Sequence, residues 1–128
     1  MTMTVETVIA PLRFQVTSQV IETYARAAKD FNPLHFDAQA AIRVGMPDRI
    51  AHGMICGGVL SRLLTRALGP DYLTKGFLRI KVIAPVYPEQ WVVARAVVRT
   101  SKPLVLDTWV ENEGGTKVIA AEAGLVGE

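Results

Sequence analysis

Three observations on this sequence predict an α+β domain in which an antiparallel sheet wraps one buried helix. The first is the run from Gly53 to Leu68, where Met54, Ile55, Val59, Leu60, Leu63, Leu64, Ala67 and Leu68 fill most of a helical surface. Helices this apolar are buried. The second is a change of period after that run, where Leu78, Ile80 and Val82 alternate with Arg79 and Lys81 as in a strand with one covered face. The third is a set of β-rich runs, Trp91 to Thr100, Leu104 to Glu111 and Thr116 to Leu125. Ser101-Lys102-Pro103 and Asn112-Glu113-Gly114-Gly115 separate them, so antiparallel hairpins are the simplest connection. A buried helix followed by a meander of long strands is an α+β arrangement.

Taken in order, Arg13 to Thr17 reads as a short strand. Thr17 or Ser18 then caps a helix whose apolar Val20, Ile21, Tyr24, Ala25 and Ala28 recur at helical spacing. This helix delivers Asp30. Pro33 disfavours helix at Asn32, so the chain leaves the helix near Asp30 and turns at Asn32-Pro33. Asp37 caps a second short helix through Val44, which Gly45 ends before the Pro47-Asp48-Arg49 loop, an excursion that partly roofs a cleft. Gly69-Pro70 is expected to stop the long helix, and Pro85 and Pro88 break the chain ahead of the hairpins.

A chain of 128 residues suffices for one domain, 1–128, of which residues 1–12 are expected to be a loosely ordered N-terminal segment. Half the residues are hydrophobic, yet no stretch is long enough to span a bilayer. A formal charge of +2 with scattered Lys and Arg argues against nucleic-acid binding. The single cysteine, Cys56, excludes an internal disulfide, and the first dozen residues lack the basic start and apolar block of a secretory signal. A reducing cytoplasm is the expected location. No repeat or low-complexity tract divides the chain.

Chemistry concentrates in Asp30-Phe31-Asn32-Pro33-Leu34-His35, an acid, an amide, a rigid turn and an imidazole in close succession. A carboxylate and an imidazole converging on one water can deprotonate it and return a proton elsewhere, as hydration of a double bond requires. The residues alone leave a local alternative evenly balanced: Asp30 and Asn32 as turn and cap formers, His35 as a satisfied, partly buried polar group. A second segment, Ile50-Ala51-His52-Gly53-Met54, forms the mouth of the apolar helix.

Together the two segments resemble the MaoC-like branch of the hotdog-fold dehydratases, the (R)-specific enoyl-CoA hydratase type. The family signature reads Asp-x-Asn-Pro-Leu/Ile-His followed by an Ala/Pro/Val-His-Gly-Met stretch. Both parts stand here at a fitting separation, and the resemblance runs from Phe14 to Val126. It implies a single hotdog domain with Asp30 and His35 as the catalytic pair and Asn32 orienting the site. Water would add across a trans-2-enoyl thioester, hydroxyl to C3 and proton to C2, to give an (R)-3-hydroxyacyl thioester. Gly53 would offer its amide to the thioester oxygen at a helix start, where dipole and missing side chain both help. Ser61 would support the catalytic acid, although a serine in an apolar helix most often bonds its own backbone. The family carries Ser/Thr-Gly where this chain has Ala28-Lys29.

The resemblance implies no separate cofactor: coenzyme A or a carrier protein's phosphopantetheine enters as part of the substrate, and the residues that hold it stay unassigned. Arg43, Arg49, Arg62, Arg66, Lys75, Arg79 and Lys81 are candidates for its phosphates or plain surface charges. Phe31, Phe36, Met54 and Leu60 are candidates for an acyl pocket or for core. His52 is expected to hold the helix mouth in place, and Cys56 to be core. A metal is not expected, because Asp30, Asn32, His35 and Asp37 lack zinc or calcium spacings. Long strands leave an edge that needs a partner, so a homodimer or a heterodimer with a related hotdog subunit is expected. The rivals are a hotdog thioesterase, the active half of a heteromeric dehydratase, and a non-catalytic acyl-binding subunit.

Overall fold

Alternation along one strand organises the molecule. In β3 (Trp91–Ser101), Val92, Ala94, Ala96 and Val98 are buried, while Arg95 among them and Arg99 just after stay accessible on the opposite face. The computed structural model describes residues 3–127 and pairs this strand with β1 (Leu12–Gln15) and β4 (Leu104–Asn112). β5 (Lys117–Leu125) and β2 (Gly76–Val82) complete one antiparallel sheet in the order β1-β3-β4-β5-β2. All three hairpin runs expected from the sequence are present, each with one end shifted by one residue.

The long helix, α3 (Gly53–Leu68), lies on the buried face of the sheet. Its Ile55, Val59, Leu60 and Leu63 share one core with Val92, Ala94, Ala96 and Val98 of β3 and Leu106 and Val110 of β4. Alanines at 94 and 96 leave room for the helix to approach, and each fully buried Leu or Val contributes about 1.5–3 kcal/mol of burial. The opposite side of α3 is only partly covered: Met54 and Gly58 are exposed.

Ahead of α3 the chain forms α1 (Ser18–Ala28), a 3-10 turn (Pro33–His35) and α2 (Ala38–Arg43). Thr17 caps α1 by accepting the Val20 amide at 3.0 Å, and Asp37 caps α2 by accepting the Gln39 amide at 2.9 Å. Glu89, from the loop before β3, adds a second acceptor to the start of α1, taking the Ser18 amide at 2.8 Å.

Two expectations change. Gly69-Pro70 does end α3, but a further helix, α4 (Pro70–Lys75), begins at once. Gly69 turns the chain at φ +68°, and Pro70 occupies the first helical position, where its missing N–H forfeits no bond. The segment 1–12 is also less loose than expected. Glu6 and Ile9 donate their amides to Val98 and Ala96 of β3 at 2.8 and 3.0 Å, and Ile9 is buried in the core. Those bonds extend the pairing begun by β1; Met1 and Thr2 lie outside the described residues. No helix among the described residues is long and apolar enough to cross a membrane.

Candidate active site

The segment after α1 is built to present one acid and to bury one imidazole. Lys29 takes a left-handed turn at φ +56°, and both its amide and that of Asp30 return to the Ala25 carbonyl. Asp30 Oδ1 accepts the Asn32 amide at 3.2 Å, and Asn32 Oδ1 accepts the Leu34 amide at 3.1 Å. With Pro33 as its first residue, the resulting 3-10 turn swings His35 inward to 8% exposure and leaves Asp30 open to solvent.

Hydrogen bonding sets the tautomers of both histidines. His35 Nδ1 lies 2.7 Å from the Ile50 carbonyl oxygen, which can only accept, so Nδ1 carries the proton and Nε2 presents a lone pair. His52 Nε2 lies 3.0 Å from the Asp30 carbonyl oxygen and therefore donates, which leaves Nδ1 bare. The two imidazoles stack, with centroids 3.6 Å apart and planes 24° from parallel. A carboxylate oxygen of Asp30 and one ring nitrogen from each histidine lie within 4.8 Å of one another.

His35, His52 and Gly53 line a cavity of about 290 Å3 with apolar walls from Ile50, Val82 and Val86, and the Asp30 carboxylate reaches it only through its approach to the two histidines. Gly53 is the first residue of α3, and no side chain caps that helix start. The Ile55 amide already donates to the His52 carbonyl at 3.1 Å, whereas the amides of Gly53 and Met54 have no intrahelical partner, and that of Gly53 is a donor at the cavity's edge. Space favours glycine here: a Cβ at position 53 would sit 3.2 Å from a Val82 methyl group, which would have to give way by a few tenths of an ångström. An acid, a base and free amide donors thus meet beside an apolar chamber, a set able to move a proton and to stabilise a developing oxyanion.

Asp30 approaches His35, Asn32 bonds within the turn between them, and Gly53 lines the cavity beside His35. Ser61 stands apart from them: no hydrogen bond joins it to Asp30 among the described residues, and its carbonyl accepts the Thr65 hydroxyl at 2.7 Å. Leu60 is fully buried core and takes no part in a pocket, whereas Phe31, Phe36 and Met54 are exposed near the site at 58%, 40% and 52%. Cys56 lines the cavity, but burial pushes its thiol up to about 11, so it stays protonated and unreactive. Three of the candidate cations are already engaged: Arg49 with Ser18, Arg66 with the Ala10 carbonyl and Arg79 with Glu122. As metal ligands Asp30, His35 and His52 are poorly arranged, because nearly parallel stacked rings send their in-plane lone pairs side by side instead of converging.

Sequence reasoning missed the cavity's far wall. Val82 to Val86 and Val118-Ile119 reach it through the β2–β5 register, and no local pattern marks them. His52 also lines the cavity and stacks on His35, and its place in the His-Gly-Met stretch was the available signal.

Comparison with known proteins agrees with this geometry. The chain matches the family described as MaoC like domain over residues 2–121. An (R)-hydratase from A. caviae involved in PHA biosynthesis is 25% identical and superposes with a TM-score of 0.79, covering 94% of this chain and 96% of that one. The ChsH1-ChsH2 complex from Mycobacterium tuberculosis shares the fold at 20% identity and a TM-score of 0.79, covering 94% of this chain and 97% of that one. A mitochondrial 3-hydroxyacyl-[acyl-carrier-protein] dehydratase of Arabidopsis thaliana is 37% identical over 49 residues, 38% of this chain and only 30% of the relative's length. The paired motifs, the helix-wrapping sheet and the match over nearly the whole sequence place this chain in the MaoC-like dehydratase family of hotdog proteins.

Proposed function

We propose that this protein is a hydro-lyase that reversibly adds water across trans-2-enoyl thioesters to give (R)-3-hydroxyacyl thioesters. The observation that carries the reading is the approach of Asp30 and His35 beside the uncapped start of α3 at the cavity. In the hydration direction the pair holds one water: its proton is taken, its oxygen bonds to C3, and a proton is delivered to C2. Electron density moves onto the thioester oxygen, which the amide of Gly53 stabilises. Dehydration is the same path reversed. Asn32 holds the bend between the two groups, and coenzyme A or phosphopantetheine arrives with the substrate.

We place the working assembly across the free edge of β2, as a homodimer or beside a related hotdog subunit. β2 is the last strand of the sheet, and Val82 and Ile83 at its end are exposed while lining the cavity. A partner there would close the chamber. The cytoplasm, where acyl thioesters are handled, is the proposed location.

Incubation with crotonyl-CoA tests the reaction. Loss of the enoyl absorbance without release of a thiol, and an (R)-configured product, is the expected result. Thiol release would instead identify a thioesterase, and no change with either coenzyme A or carrier-protein substrates would leave an acyl-binding subunit. The plant relative favours one second reading, a preference for carrier-protein thioesters, which the same assay with enoyl-carrier protein decides.

A further inference from the structure

His52 makes contacts that the reaction scheme does not use. Its ring is 4% exposed, donates Nε2–H to the Asp30 carbonyl at 3.0 Å and lies flat against the His35 ring at 3.6 Å. Tyr24 braces it from the side with ring centroids 4.9 Å apart. Its Nδ1 is buried and has no hydrogen-bond partner among the described residues. Buried polar atoms without partners are uncommon and destabilising, so a feature of this kind calls for a cause beyond packing. Capping is not that cause, because the side chain makes no bond to the start of α3.

We infer that His52 is a positioning residue that holds both catalytic groups in register. The inference rests on the roles proposed for Asp30 and His35. The outer torsion of a histidine is broad, so a single bond from His35 Nδ1 to Ile50 opposes a flip but leaves the ring free to tilt about that bond. The flat face of His52 removes that freedom. Its donor at the same time anchors the Asp30 backbone just after the left-handed turn at Lys29. One ring thereby fixes the distance between acid and base, the quantity on which proton transfer through a shared water depends most steeply.

Two substitutions separate the contributions. His52→Phe keeps a flat ring against His35, loses the donor and deletes the bare nitrogen. His52→Gln places an amide donor near the Nε2 position and loses the ring. Each is expected to lower kcat for crotonyl-CoA about tenfold to a hundredfold while KM stays within about threefold. The Tm of His52→Phe should stay near that of the wild type, since removal of an unpaired buried nitrogen offsets loss of the bond to the Asp30 carbonyl. A kcat within about twofold of wild type in both variants, or a fall in Tm of His52→Phe that matches its activity loss, would overturn the inference.

A second readout needs no turnover. The chain has only two histidines, so nitrogen-15 imidazole spectra hold two residues' signals. At about pH 8, above the ordinary imidazole range, the wild type should show the proton on His35 Nδ1 and on His52 Nε2. In His52→Gln the His35 signals should move toward a mixture of tautomers. Unchanged His35 signals overturn the inference whatever the activity. Shifted signals in a protein that hydrates no enoyl thioester would support the clamp and sink the proposed reaction instead.

Discussion

His35 and Ile50 are joined by a 2.7 Å hydrogen bond from Nδ1–H to the backbone carbonyl, and this bond turns Nε2 toward chemistry. Asparagine can place an amide N–H close to where Nδ1–H sits while offering nothing at Nε2. His35→Asn should therefore fold with a Tm near wild type and lose hydratase turnover by roughly a hundredfold to ten-thousandfold, the range for removing a general acid or base. Asp30→Asn should lose a similar factor. Crotonyl-CoA kinetics beside thermal melts check both, and near wild-type rates in either variant would end the assignment.

Gly53 and Val82 make the second prediction. A Cβ at position 53 would meet a Val82 methyl group at 3.2 Å and intrude where the free amides face the cavity. Gly53→Ala should lower kcat about tenfold to a hundredfold, less than the loss of a whole oxyanion donor. Adding Val82→Ala opens space for the new methyl and should return part of the rate. If the double variant is no faster than Gly53→Ala alone, crowding against β2 is not why this position needs glycine.

The parts of this site that could be read directly from the sequence are those whose partners lie within a few residues. Asp30, Asn32 and His35 are linked by bonds that span two or three positions, and Thr17 and Asp37 cap helices that start immediately after them. The parts that could not be read depend on register or on chain reversal. Val118-Ile119 reach the cavity because β5 pairs with β2, and His52 meets His35 only once the α2 excursion has folded back. Gly69-Pro70 was ambiguous for a different reason: the pair that ends one helix is equally suited to begin the next. Leu60 shows that apolar character alone does not separate a pocket from a core, since it lies on the same helix as exposed Met54.

The free edge of β2 carries the third prediction. Ile83 is 52% exposed and lines the cavity, so a charge there would face any partner docked along this edge. Ile83→Arg should shift the particle measured by light scattering from twice the 14.0 kDa chain mass toward that of one chain, with loss of activity in step. A wild-type protein that already runs as a single chain at assay concentration and turns over crotonyl-CoA would refute the role of the partner.

On the outer face of the sheet, Glu122 is held below the ordinary carboxylate range, first by its hydrogen bond from Arg99 and then by the charges of Arg99 and Arg79. The sign follows from that direction. A carboxyl lowered in the folded state adds stability above its unfolded value and loses it as pH falls through the folded one. The group is solvent-exposed and screened by salt, so the effect is small. Between about pH 7 and pH 3, wild-type Tm should fall more steeply than that of Glu122→Gln, and the two curves should converge at the acid end. High salt should narrow their gap at neutral pH. Parallel curves would show that the Arg99–Glu122 pair adds nothing to stability.

Ala28-Lys29 stands where the resemblance expects Ser/Thr-Gly, and the geometry of Lys29 says what a glycine there would do. The residue sits at φ +56°, a left-handed conformation that disfavours an L side chain by about 1–2 kcal/mol. Glycine avoids that strain but loses about 0.5–1 kcal/mol more in chain entropy on folding. The difference favours glycine, so Lys29→Gly should stabilise the protein by about 0.5–1 kcal/mol in denaturant melts. Asp30 follows directly, with its amide bonded to the Ala25 carbonyl at 3.0 Å and its carbonyl held by His52. Because both anchors survive the substitution, hydratase kcat should stay within about twofold of wild type. A stabilised variant with a much lower kcat would mean that the lysine side chain itself acts in the site.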